Sequence, residues 1–200
     1  MSFSYKTIAN PVEEITFKEK GSKFIGYAFP VNDEDEIKEK LIGLWQKYPD
    51  ATHICYAFRL GIDGERYRAN DDGEPSGSAG LPIYNQIVSK EITNVLVASI
   101  RFYGGTKLGV SGLVKAYKLS AQMTLDETEI VEKHLTEKVK FEFTYEDQGS
   151  VMRNIDKSNV EVISTEFTDK CVVFVRVRKD NLDNFLALFE PLYQVKISII

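Results

Sequence analysis

Apolar and polar positions change period several times along the chain, and each change marks an element. Residues 12–18 alternate and predict a strand, Lys20-Gly21-Ser22 reads as a turn, and residues 23–31 predict the return strand of a hairpin. Residues 33–48 then take helical spacing, with Ile37, Leu41, Leu44, Trp45 and Tyr48 on one stripe and Pro49 as the stop. Residues 52–60 alternate again, placing His53, Cys55 and Ala57 on one face and Ile54, Tyr56 and Phe58 on the other. Asp63-Gly64 predicts a hairpin turn and residues 66–69 its return strand. A loop of acids, glycines and serines follows, and Ser78 is expected to cap a helix through Ser89 with Leu81, Tyr84, Ile87 and Val88 inward.

The stretch 93–122 reads as a buried strand, a glycine turn and an amphipathic helix. Residues 94–100 are a continuous apolar run, as in a strand covered on both faces. Gly104 and Gly105 allow a tight turn or a close backbone approach. Ser111 is the expected N-cap, with Val110, Leu113, Val114, Tyr117 and Ala121 on the apolar face of the helix. Beyond a charged stretch at 126–133 the expected order is strand (139–145), helix (147–157), two strands (160–167 and 171–177), helix (181–189) and strand (194–200). That βαββαβ series is the ferredoxin-like arrangement. The fold class is therefore α+β in two domains, an α/β domain over 1–134 and a ferredoxin-like domain over 135–200.

Charge sharpens the reading of 93–122. The 200-residue chain carries 25 Lys and Arg against 30 Asp and Glu, a net charge of −5, which excludes a protein that binds nucleic acid by bulk charge alone. Yet residues 92–125 contain no Asp or Glu, while Arg101, Lys107, Lys115 and Lys118 lie among them. Solvated lysines on a helix face explain this as well as an anion site does. Phosphate-loop, dinucleotide and nucleophile-elbow spacings all fail here, since Val110 follows Gly109, Gly104-Gly105-Thr106 breaks alternation, and Leu113 follows Ser111 by two. No apolar run reaches the about 20 residues of a membrane span. The first residues lack signal-peptide character, and Cys55 and Cys171 suit reduced thiols, so the expected setting is cytoplasmic.

The two glycine-rich stretches each lead into a helix near a serine. Side by side, the two helix starts would form an anion pocket ringed by Arg66, Arg68, Arg101 and Lys107, with Gly104, Gly105, Gly109, Ser111, Lys115 and Lys118 completing the surface. Phe102, Tyr103 and Tyr117 are aromatics for base stacking where exposed, or core where not. The loop residues Asp71, Asp72, Glu74, Ser76 and Ser78 are a second candidate set. With His53 they suggest acid–base or nucleophilic chemistry, against the simpler reading of turn formers, caps and packing. Magnesium at Asp71-Asp72-Glu74 is the weaker alternative, and no zinc spacing is present.

The run GLPIYNQIVSKEITNVLVASIRFYGGTKLG, preceded by DDGEPSGSAG, resembles the signature of the IMPACT/YigZ family. KGSKFIGYAFPV and THICYAFRLG look like further blocks of it. The resemblance implies a first domain similar to the second domain of a small-subunit ribosomal protein and to domain four of elongation factor G. It implies a second domain similar to the C-terminal domain of that factor. Eukaryotic members regulate translation by binding an activator of a kinase that phosphorylates an initiation factor; this chain looks like the bacterial branch. Arg101, Gly104, Gly105 and Gly109 match the signature. The expected function is a non-enzymatic, translation-associated regulatory or RNA- or ribosome-binding protein, with no cofactor, metal or membrane. A translation-related protein is the other expected partner. A small-molecule enzyme acting on a phosphorylated or peptide substrate through the DDGEPSGS loop, and a protein-interaction module, stand as alternatives.

Overall fold

The computed structural model describes residues 3–200. The chain divides into two compact units, one ending at Lys133 and the other comprising His134–Ile200.

In the first unit the strands are β1 (Ser4–Ile8), β2 (Val12–Glu19), β3 (Ser22–Pro30), β4 (His53–Leu60), β5 (Arg66–Asn70), β6 (Val95–Phe102) and β7 (Ile130–His134). The helices are α1 (Glu34–Lys47), α2 (Gly80–Ser89) and α3 (Gly109–Asp126). Five strands form one antiparallel sheet in the order β2-β3-β6-β4-β5, while β1 and β7 pair separately. β1 and β7 correct the expectation of a charged connector at 126–133.

The alternation in β4 builds both cores. Cys55 and Ala57 pack with Ile83 and Ile87 of α2 and with Leu113, Tyr117 and Ala121 of α3. Ile54 and Phe58 face the other way, onto Ile37 and Leu44 of α1. β6 is central and buried along almost its whole length. Each buried Leu, Ile or Phe contributes about 1.5–3 kcal/mol, so both faces of this sheet are strongly held. α3 lies close because the seam is small: a Cβ on Gly26 would meet the Thr124 hydroxyl at 1.9 Å, and Ser99 Oγ lies 2.7 Å from Ser120 Oγ. Asp33 caps α1, its carboxylate accepting from Asp35 N and Glu36 N as a helix start requires.

Two helix faces differ from expectation. Leu81 and Val88 are exposed, and Pro82 and Ile83 point inward instead. Val110 is 57% exposed, and Ala116, Ser120, Thr124 and Leu125 complete the buried stripe of α3. Neither expected serine caps its helix: the N-cap positions are Ala79 and Leu108.

The second unit runs β8 (Thr136–Phe143), α4 (Gln148–Lys157), β9 (Glu161–Phe167), β10 (Cys171–Arg178), a 3₁₀ turn (Lys179–Asn181), α5 (Leu182–Ala187) and β11 (Lys196–Ile199). The sheet order is β11-β8-β10-β9, all antiparallel, which is the split βαβ arrangement. One face carries the core: Val139, Phe141, Val173 and Val175 against Val151, Ile155 and Phe185.

Candidate functional site

The loop 71–80 folds against the ends of β4 and β6, and its acids turn inward. Asp71 accepts from the backbone amides of Gly77 (2.8 Å), Ala79 (2.9 Å) and Gly80 (2.8 Å). Gly80 is the first residue of α2, Ala79 its N-cap position and Gly77 a loop residue, so one carboxylate ties the loop to the helix start. Burial raises the Asp71 carboxyl, but the three amides outweigh it and hold it below its usual range. Asp72 accepts from Ile54 N at 2.6 Å. Ser78 is not the cap: the N-cap position is Ala79, and the buried Ser78 hydroxyl has no hydrogen-bond partner. Ser76 is exposed at the loop tip.

Glu74 is buried and accepts from Arg101 Nη1 at 2.5 Å and from the Tyr117 hydroxyl at 2.8 Å. Arg101 Nη2 reaches Ser22 Oγ at 3.3 Å, and its guanidinium stands over the rings of Phe24 and Tyr103. Arg101 is 5% exposed, and its Nε has no partner. The expectation of a solvent-facing anion binder at this position is corrected: most of its donors are held by Glu74 and Ser22. Burial first, then the neighbouring Cys55 and Glu74, pushes the Tyr117 hydroxyl up, so it stays a neutral donor. Burial likewise raises the Cys55 thiol, which donates to Asp71 O; a nucleophilic role does not fit a buried neutral thiol. His53 Nδ1 lies 2.6 Å from the carbonyl of Asp72 and so donates there, leaving Nε2 3.9 Å from Glu74 Oε1. Among the described residues no three His, Cys, Asp or Glu side chains gather as a metal set.

These groups line a cleft of about 440 Å³ formed by Thr52, His53, Glu74, Pro75, Arg101, Tyr103 and the segment from Lys107 to Val110, with Leu113 below. Beyond Tyr103, Gly104 permits a close approach to the β2–β3 turn, since a Cβ there would meet the Gly21 backbone at 1.9 Å. Gly109 opens α3 at φ +72°, a left-handed conformation in open space. The N-cap position of α3 is Leu108, and no side chain caps the helix. Ser111 sits inside the first turn, which corrects its expected capping role. Lys107 makes no ion pair among the described residues. The cleft thus combines an uncapped helix start and the Lys107 ammonium.

The remaining cations do not converge there. Register places Arg68 opposite Phe58 and Arg66 opposite Leu60, on the sheet face that α1 covers. Arg101 pairs with His53 and Phe24, whose neighbour Cys55 faces α2 and α3. The expected ring of Arg66, Arg68, Arg101 and Lys107 is therefore split across the sheet. Lys115 lines a separate groove with Phe17 and Lys20, and Lys118 another between α3 and α2 with Leu81 and Asn85. Phe102 is half-buried against Tyr48, Tyr117 is core, and Tyr103 is exposed. Glu74, as a buried partner of Arg101, was hidden in a loop that read as solvated acids. Its only signal was one apolar neighbour, Pro75, among turn formers.

A covered five-stranded sheet with an open helix start, followed by a βαββαβ unit, defines a two-domain α+β protein. Residues 20–125 match the model of the Impact N-terminal domain, over half of the chain, and the chain belongs to the IMPACT family. It is 35% identical over 135 residues to "IMPACT family member YvyE" of Bacillus subtilis (strain 168), covering 68% of this chain and 62% of that protein. It is 36% identical over 108 residues to "IMPACT family member YigZ" of Escherichia coli (strain K12), covering 53% of this chain and 51% of that one. These matches span about half to two thirds of the relatives' lengths. A crystal structure described as that of a hypothetical protein superposes with TM-score 0.73 at 24% identity, covering 100% of this chain and 98% of that one, and shares the fold. No helix among the described residues is long and apolar enough to cross a membrane.

Proposed function

We propose that this is a non-enzymatic, translation-associated regulatory protein that takes an anionic partner, RNA or a ribosomal surface, at the start of α3. The observation that carries the reading is the uncapped N-terminus of an 18-residue helix opening on the cleft that holds Lys107. Such an end offers amide donors and partial positive charge to a phosphate. Membership of the IMPACT family, whose eukaryotic members the signature likens to translation regulators, supplies the cellular setting. The test is co-sedimentation of the full chain with ribosomes at low salt. Lys107→Glu is expected to abolish retention and Lys118→Glu to leave it intact; equal retention of both variants would overturn the reading.

A second reading, a small-molecule enzyme, has one observation in its favour. The same cleft contains His53 with its tautomer set by Asp72 O and its Nε2 facing Glu74. A phosphorylated metabolite that raises the melting temperature of wild type, and is turned over, would establish it.

A further inference from the structure

The second unit has a sheet with two unlike faces. α4 and α5 cover the face of Val139, Phe141, Val173 and Val175. The other face carries Lys138, Lys140 and Glu142 of β8, Val172, Phe174, Arg176 and Arg178 of β10, Glu161, Ser164 and Glu166 of β9, and Lys196 and Ser198 of β11, by the alternation and register of the four strands. No buried apolar side chain packs onto Phe174 there; it belongs to no core cluster among the described residues. Instead Lys138 Nζ stands 4.5 Å and Lys140 Nζ 5.9 Å from its ring centroid. Within this unit no helix packs over Phe174, which is half-buried with two ammonium groups beside its ring.

Charge is also sorted. Five of the nine Lys and Arg in His134–Ile200 lie on this face (Lys138, Lys140, Arg176, Arg178, Lys196), against three of its eleven Asp and Glu (Glu142, Glu161, Glu166). Among the described residues these cations make three ion pairs, Lys140 with Glu142, Arg176 with Glu161 and Arg178 with Asp180, all at the surface, where exposed pairs contribute little. Lys138 is held only by the ring, and Lys196 makes no ion pair among the described residues.

We propose that this face binds single-stranded nucleic acid, one base stacking on Phe174 and the flanking phosphates meeting Lys138 and Lys196. Phe174 is half-buried on a central strand of a four-stranded sheet, with its ring bordered by the Lys138 and Lys140 ammonium groups, and an aromatic so placed is one on which an unpaired base can stack. A base displaces the Lys138 ammonium from the ring and gives it a phosphate in exchange, so the cation is retained. Stacking of this kind is tolerant of sequence, because every base has a π-face. The acids set a limit: with three carboxylates on the face, binding is moderate and falls as salt rises.

The test is fluorescence anisotropy of a labelled uridine decanucleotide titrated with the full chain at low salt. Wild type is expected to bind, and a duplex of equal length at least about tenfold more weakly, since its bases are unavailable. Phe174→Leu, which keeps an apolar strand residue, is expected to lower affinity about tenfold. The double variant Lys138→Gln, Lys196→Gln is expected to bind more weakly with a shallower salt dependence. Phe174→Trp is expected to bind with quenching of its emission beyond that of wild-type Trp45. Absence of wild-type binding, equal binding of the duplex, or wild-type affinity in a folded Phe174→Leu protein would each overturn the proposal. Binding abolished by Lys107→Glu yet untouched by Phe174→Leu would place the nucleic acid at the α3 cleft and overturn this inference while sparing the other.

Discussion

The starts of α2 and α3 are built from similar material and end in opposite states. Each follows a glycine-rich loop, and each begins beside a serine that does not cap it. At α2 the chain supplies its own anion, since Asp71 takes the amides of Ala79 and Gly80 at the start and that of Gly77 in the loop before it. At α3 no side chain does so, and the surrounding 92–125 stretch holds no acid at all. A helix end that is satisfied internally is architecture; the open end beside Lys107 is where the proposed function puts an anionic partner. Glu74 joins the two regions, because it leaves the α2 loop to meet Arg101 of β6 and Tyr117 of α3.

The largest expected effect breaks that junction. Glu74→Ala leaves a buried guanidinium without its counter-ion and is expected to cost about 3–5 kcal/mol in urea unfolding. A loss under about 1 kcal/mol would mean the pair behaves as a surface one. Next comes the closed start: Asp71→Ala is expected to destabilise by about 1–2 kcal/mol. Its folded carboxyl is held below the unfolded value of about 3.9. Its contribution is therefore present above that value and is lost as pH falls through the lowered folded one. The acid limb of a pH–stability profile should flatten in the variant; an unchanged limb would remove Asp71 from the account. At the open start the stability effect is expected to be small. Lys107→Glu should stay within about 0.5 kcal/mol of wild type while losing anion affinity, which separates a binding residue from a structural one. Smallest of all, Lys115→Glu and Lys118→Glu are expected to leave cleft binding within about twofold, as their side chains line other grooves.

Legibility followed the range of the interactions. The stripe of Ile37 and Leu44, the alternation of β4 and the buried run of β6 are local patterns, and the elements appear where those patterns place them. β1 and β7 were missed because five-residue strands acquire meaning from a partner more than 120 positions away, here Ser4–Ile8 with Ile130–His134. Capping by the nearest serine failed for a similar reason: Asp71 reaches across its own loop to the helix, a geometry that spacing does not encode. Arg66 and Arg68 looked like neighbours of Arg101 until pairing register fixed which face each occupies. The family signature marks Arg101, Gly104, Gly105 and Gly109, of which Arg101 and Gly109 line the cleft; that Arg101 is mostly occupied by Glu74 required the fold.

Amide chemical shifts at the two helix starts test the central claim most directly. On titrating pyrophosphate into labelled full-length protein, the amides of Gly109, Val110 and Ser111 are expected to move in a saturable way, and to stop moving in Lys107→Glu, while those of Gly77, Ala79 and Gly80 stay still. Silence at Gly109 to Ser111, or equal movement at both starts, would contradict the account.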